Sequence, residues 1–171
     1  MLVQVAAVGE IAAVEASGAE GVVAGAGAHA EIAAATSLPV LAGGDSPDGA
    51  EGADAWLLVA ERHEDNLEEQ YAAAQSLGLE CVVDVQDDEE LALVLECIAP
   101  EIILLSPRGA DAGEDAVDRV LELLPDVPAG MLAIAELRSA TADDVRALER
   151  AGVDAVLVDV SRLEAVAEAA S

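Results

Sequence analysis

One local unit recurs four times in this chain and limits what it can fold into. A helical stretch ends in glycine, an acidic residue follows two positions later, and a short aliphatic run begins. The unit appears as Gly18-Ala19-Glu20-Gly21-Val22-Val23 and as Gly52-Ala53-Asp54-Ala55-Trp56-Leu57-Leu58. It returns as Gly78-Leu79-Glu80-Cys81-Val82-Val83 and as Gly152-Val153-Asp154-Ala155-Val156-Leu157. Glycine just past a helix supplies the left-handed conformation that stops it. A short, β-branched and nearly continuous aliphatic run suits a parallel strand buried on both faces. The unit therefore describes a helix feeding a parallel strand, repeated along the chain.

Counting such runs gives eight expected strands, near 2–7, 20–24, 38–42, 55–60, 79–85, 101–106, 130–135 and 153–159. Helical patterns separate most of them. Residues 87–98 place Leu91, Val94, Leu95 and Ile98 on one face, with Asp87 and Glu90 near capping-box spacing. Residues 141–151 open with Thr141 and Asp144 in the same relation and bury Val145 and Leu148. Residues 64–77 run Leu67, Tyr71 and Ala74 along one stripe. The stretch 43–54 is too rich in Gly and Pro for a good helix and predicts a loop with at most a turn or two. A doubly wound open sheet would bring a glycine-rich phosphate turn after its first strand, and Val8-Gly9-Glu10 is not one. Eight alternating units fit a (β/α)8 TIM barrel instead, as one domain over residues 1–171. Such barrels typically run to about 250 residues, so this one would be minimal, with very short loops.

Composition narrows the chemistry. Acidic residues number 35 against 7 basic ones, for a net charge of −28, and all seven basic residues are arginine. Without lysine there is no Schiff base, no lysine acid or base and no P-loop lysine. So negative a surface argues against nucleic acid or an anionic membrane as partner. No apolar run is long enough to span a membrane, and Met1 to Val5 carries no basic region of the kind that opens a signal peptide. Cys81 and Cys97 lack metal-ligand spacing and read as buried reduced thiols of a cytoplasmic protein. No cofactor and no metal are expected. Evenly spread carboxylates without lysine suit a cytoplasm of very high salt, where repulsion is screened within about 3 Å at 1 M.

Several stretches resemble indole-3-glycerol-phosphate synthase, a tryptophan-pathway barrel enzyme. Leu79-Glu80-Cys81-Val82-Val83-Asp84-Val85-Gln86-Asp87-Asp88-Glu89-Glu90-Leu91 is similar to that family's fifth strand and following helix. Ser37-Leu38-Pro39-Val40-Leu41 resembles the entry to its third strand, and Ala151-Gly152-Val153-Asp154-Ala155-Val156-Leu157-Val158 its eighth. The resemblance implies the same barrel, yet most of the family's functional positions have changed. Gly43 stands where the family has its general-acid lysine, and Gln4 and Ala6 where its first strand has glutamate and lysine. Ser106 matches an asparagine, Leu137-Arg138 a phosphate-binding Ser-Gly, and Asp159-Val160-Ser161 a glycine-serine phosphate turn. Two features remain: Asp84 for the general-base glutamate and Arg108 for the strand-six arginine. A ring closure in which an ammonium protonates a leaving hydroxyl has no route here.

In such a barrel the functional face lies at the C-terminal ends of the strands. Residues assigned there are Glu10, His29, Asp45, Glu61, Arg62, His63, Asp84, Arg108, Glu136, Arg138, Asp159, Ser161 and Arg162. Asp84 and Arg108 are the catalytic candidates. Ser106, Arg138, Ser161 and Arg162 are the candidates for binding a small anionic ligand, because arginine grips phosphate bidentately without a glycine turn. The competing reading makes Arg138 with Glu136, and Arg162 with Asp159 or Glu164, surface salt bridges, and Asp84 with Arg108 a structural pair. His29 and His63 read as solvated loop residues. Three functions stay open: a pocket for a small phosphorylated or carboxylated ligand without synthase activity, a lyase or isomerase using Asp84 as base, and a non-catalytic scaffold.

The composition yields a first prediction. Self-repulsion should destabilise the fold at low ionic strength, so the thermal midpoint followed by circular dichroism should rise steeply between about 0.1 and 1 M salt, as the screening length falls from about 10 to 3 Å. A flat response would show that the acidity is not an adaptation to salt.

Overall fold

A computed structural model describes residues 1–106, 116–137 and 139–167. Eight parallel strands form a barrel closed in sequence order. They are β1 (Leu2–Val5), β2 (Gly21–Ala24), β3 (Val40–Gly43), β4 (Ala55–Val59), β5 (Glu80–Val85), β6 (Ile102–Leu105), β7 (Leu132–Glu136) and β8 (Ala155–Asp159). The helices are α1 (Ile11–Ala16), α2 (His29–Ala35), α3 (Ala60–His63), α4 (Leu67–Ser76), α5 (Asp88–Cys97), α6 (Ala116–Leu123), α7 (Ala142–Ala151) and α8 (Leu163–Ala167). All eight expected strands are present, most of them shorter than the sequence suggests. The third crossover holds only the 3-10 turn Pro47–Gly49, as its composition requires. A short helix, α3, precedes α4 between β4 and β5, where the pattern marks a single helix over 64–77.

Side-chain alternation divides the core in two. Val23, Leu41, Val82, Leu104, Ile134 and Leu157 pack inside the barrel, while Val22, Trp56, Leu58, Val83, Ile103 and Leu105 belong to the layer between barrel and helices. Because the period of a strand is two, the inner face of β5 carries Glu80, Val82 and Asp84. Space inside is tight low in the barrel: a Cβ on Gly21 would come within 2.8 Å of Leu2 Cδ2 and 3.3 Å of the Pro39 carbonyl.

The helix ends behave as written in the sequence. Thr141 and Asp144 form a reciprocal capping box at α7, and Gly152 closes that helix at a φ of 104°. At α5 the Asp87 carboxylate accepts the Glu90 N–H at 2.9 Å, while Glu90 reaches one residue further back to the Gln86 N–H, also at 2.9 Å.

The recurring acid has a precise role. In each unit its backbone N–H donates to a carbonyl at the entry of the preceding strand: Glu20 to Met1 at 2.9 Å, Asp54 to Val40 at 2.9 Å, Glu80 to Asp54 at 3.1 Å and Asp154 to Ala133 at 2.9 Å. At two of them the side chain completes a reciprocal clamp. Asp54 Oδ2 accepts the Val40 N–H at 2.9 Å, and Asp154 Oδ2 accepts the Ala133 N–H at 2.8 Å. Each clamp occupies a strand-entry donor with a charged acceptor and so helps fix the register of β3 on β4 and of β7 on β8.

Charged hydrogen bonds of this kind contribute about 1.5–3 kcal/mol, and the exposure of both carboxylates places them near the lower end. Asp154→Ala should therefore lower the unfolding free energy by about 1–1.5 kcal/mol in high salt, and Asp154→Asn, which keeps an acceptor, by less. An alanine variant as stable as the parent in a denaturant titration would show that the clamp is only geometric.

Candidate active site at the C-terminal face

The upper rim of the barrel is assembled from the last inward positions of the strands. Asp84, near the end of β5, is fully buried and follows Val82 on the inner face. Ser106, just beyond β6, is 1% exposed, and its N–H donates to the Val85 carbonyl at 3.0 Å. Glu136 ends β7 and is also buried. Three polar side chains thus stand on three neighbouring strands above the aliphatic interior. Val59, which pairs in register with Asp84, supplies an apolar flank. The sequence places Glu136 on the functional face and offers it as a salt-bridge partner for Arg138; its burial follows from its even offset from Ile134.

Between β8 and β1 the rim is open and acidic. A cavity of about 440 Å³ lies where β8 meets β1, lined by Gln4, Val5, Ala6, Glu10, Asp159, Val160 and Ser161. Glu10 Oε2 accepts the N–H groups of Ala6 and Ala7, at 2.7 and 3.1 Å. Asp159 Oδ1 accepts the Ser161 N–H at 2.9 Å. Arg162 is exposed, and the ion pairs found among the described residues do not join it to Asp159 or Glu164. Arg108 and Arg138 lie outside the described residues. Arg62 meets Asp45 at 3.4 Å, an exposed pair of little energetic weight. On the outer helices Arg119 reaches Asp88 at 3.6 Å and Glu122 at 3.4 Å, and Arg146 meets Asp143 at 3.1 Å.

The histidines correct the sequence reading. His29 heads α2 and His63 ends α3, and both are buried instead of solvated. His63 Nδ1 lies 3.3 Å from Asn66 Oδ1, and its ring centroid is 6.0 Å from that of Trp56. Both rings fold under short connections that pack against the barrel, a consequence of loop length that residue type does not announce. No group of three or more His, Cys, Asp and Glu is placed to hold a metal ion among the described residues. Among those residues no helix is long and apolar enough to cross a membrane. Cys81 is a free, buried thiol whose pKa burial pushes up to about 12, and Cys97 is free and half-buried, less enclosed than expected. At neutral pH the Cys81 sulfur is an inert hydrophobe.

Next to the rim, Gln86 links two carboxylates: its side-chain amide donates to Glu61 Oε2 at 2.9 Å and its backbone N–H to Glu90. Burial holds the Glu90 carboxyl above the usual carboxylate range, partly offset by the Gln86 hydrogen bond and reinforced by the charges of Asp87, Glu61 and Glu64.

A family model described as indole-3-glycerol phosphate synthase matches residues 49–169. The chain belongs to that family. The synthase of Shouchella clausii is 36% identical over 137 residues, covering 75% of this chain and 54% of the relative. That of Variovorax paradoxus is 39% identical over 108 residues, covering 63% and 40%. The chain thus spans about half the length of these curated relatives. Among solved structures, the N-acetylmannosamine-6-phosphate 2-epimerase of Clostridium perfringens superposes with a TM-score of 0.77 at 14% identity, over 92% of this chain and 85% of that one. The thiamine phosphate pyrophosphorylase of Pyrococcus furiosus gives 0.71 at 15% identity, over 98% and 90%. At such identities the likeness is one of fold.

The electrostatics of Glu90 lead to a prediction with a definite sign. A carboxyl whose pKa is raised in the folded state holds its proton more tightly there, so it destabilises the fold as pH rises through and above that range. Glu90→Gln, which keeps an acceptor for the Gln86 N–H, should melt above the parent at pH 7, and the gap should close as pH falls to about 4. An advantage independent of pH would trace the effect to packing.

Proposed function

We propose that this chain is a member of the indole-3-glycerol phosphate synthase family that binds a small phosphorylated or carboxylated ligand and lacks synthase activity. The observation that carries the reading is the end of β3. Gly43 sits there on the inner face, in the place the resemblance gives to the general-acid lysine, and the chain has no lysine elsewhere to substitute for it. A Cβ at Gly43 would lie 3.4 Å from the Ala24 carbonyl, an ordinary contact, so the missing side chain is not excluded by crowding. The ligand's anionic group is assigned to Ser106, Arg138, Ser161 and Arg162, above β6 to β8. Arg162, exposed and without an ion pair to any described residue, supports that assignment. The acid-lined cavity between β8 and β1 suits hydroxyl groups better than a phosphate, because Glu10 and Asp159 repel an anion.

A second reading is favoured by the burial of Asp84. A carboxylate on the inner rim, flanked by Val59, is placed to act as a general base in a lyase or isomerase step, with Arg108 stabilising the charge that develops. The scaffold reading has less support, since the rim around Gln4 and Asp159 is not closed by packing. The composition supports a cytoplasm of high salt as the setting.

Thermal unfolding in phosphate against chloride at matched ionic strength tests the anion site. A ligand at a hundred times its Kd stabilises by about 2.7 kcal/mol, or roughly 5–10 °C for a chain of this size. Phosphate also stabilises proteins generally by exclusion from their surface, so the comparison is with Arg138→Ala. The parent should gain more than the variant, and equal gains would remove the site from these arginines.

A further inference from the structure

Where the third crossover lacks a helix, the barrel wall is covered by the turn at Pro47–Gly49 and by the start of α2, and a cavity of about 250 Å³ remains between them. Its wall includes Gly27, His29, Gly44, Ser46, Ala50 and Trp56. This space lies at the C-terminal end of β3, bounded by Gly43 and by Trp56, which belongs to the layer between strands and helices and not to the interior cluster. Trp56 and His29 are both more than nine-tenths buried, and neither Trp56 Nε1 nor His29 Nδ1 has a hydrogen-bond partner among the described residues. Buried polar groups of this kind are normally satisfied. An indole N–H can only donate, so its missing partner is an acceptor.

The surroundings restrict the ligand further. Asp45 is a carboxylate on the cavity wall, exposed and already paired with Arg62, and with the overall charge of −28 it disfavours an anion. No second carboxylate lines the wall to hold a cation. The volume corresponds to about eight waters at ~30 Å³ each and falls below the ~300–1,000 Å³ of drug-sized sites. We infer that this cavity binds an uncharged molecule of about one ring in size, whose carbonyl or ring-nitrogen acceptor takes the Trp56 N–H. Trp56 Nε1 and His29 Nδ1 are both closed to solvent, so the ligand reaches the indole as the His29 ring turns aside. The site is separate from the anion site of the preceding section and uses none of its residues.

Trp56 is the sole tryptophan, so ¹⁵N-labelled protein shows a single indole N–H cross-peak. Titration with benzamide should move that peak downfield and saturate. Benzoate, of the same size but anionic, and toluene, which has no acceptor, should bind at least tenfold more weakly. Ala50→Leu, which fills the cavity, should abolish the benzamide shift, while Arg138→Ala should leave it unchanged. The inference is overturned if benzamide gives no saturable shift, if benzoate matches it, or if a folded Ala50→Leu responds as the parent does. Should Ala50→Leu fail to fold, the comparison of the three probes on the parent protein decides alone.

Discussion

The ladder between β8 and β1 is the contact on which the rest of this structure depends. It is three residue pairs long, Leu2 with Leu157, Val3 with Val158 and Gln4 with Asp159. Without it the eight strands would form an open parallel sheet with two unpaired edges. With it, every inward position is committed to the inner space and every outward one to the helix layer. Closure is what sends Val82 into the core and Asp84 to the rim two residues later, and what sets Ser106 and Glu136 on the strands beside it. A chain with no Phe and one Trp can fill such an interior because aliphatic side chains from short strands suffice.

Charge is the second constraint, and the fold uses part of it. Thirty-five carboxylates against seven arginines cannot be neutralised by pairing. Many serve instead as acceptors for backbone N–H groups that a barrel leaves over at strand entries and helix starts. Asp54 and Asp154 clamp strand entries, Asp87, Asp144 and Asp159 cap turns of helix, and Glu10 gathers two donors above β1. Arg119 and Arg146 answer nearby carboxylates on the outer helices. An acceptor role of this sort needs no partner charge and survives high ionic strength better than an exposed ion pair.

Much of this was legible in the residues. The glycine-acid-aliphatic unit located strands and helix ends, because a left-handed stop at Gly78 or Gly152 and a β-branched run after it are local facts. The purpose of the acid was not legible, since the clamp joins Asp154 to Ala133 across 21 residues and only strand register brings them together. The burial of His29 and His63 escaped for a related reason: it depends on how a shortened third crossover and the added turn of α3 pack against the wall around Trp56. Asp84 was placed correctly because alternation along β5 decides its direction. The arginine grouping above β6 to β8 is legible only as residue type and strand order, with Arg108 and Arg138 outside the described residues.

Family membership is shown, and the proposal is that the family's chemistry has not come with it. The barrel is that of the family, while Gly43, Gln4 and Ala6 stand where the resemblance puts its acidic and basic residues, and the chain contains no lysine. The most direct measurement supplies the protein, folded in high salt, with the family's carboxyphenylamino-deoxyribulose phosphate substrate and follows indole formation. The account predicts no product above background. Turnover that disappears in Asp84→Asn would contradict it, showing that the rim performs the family's ring closure without a lysine.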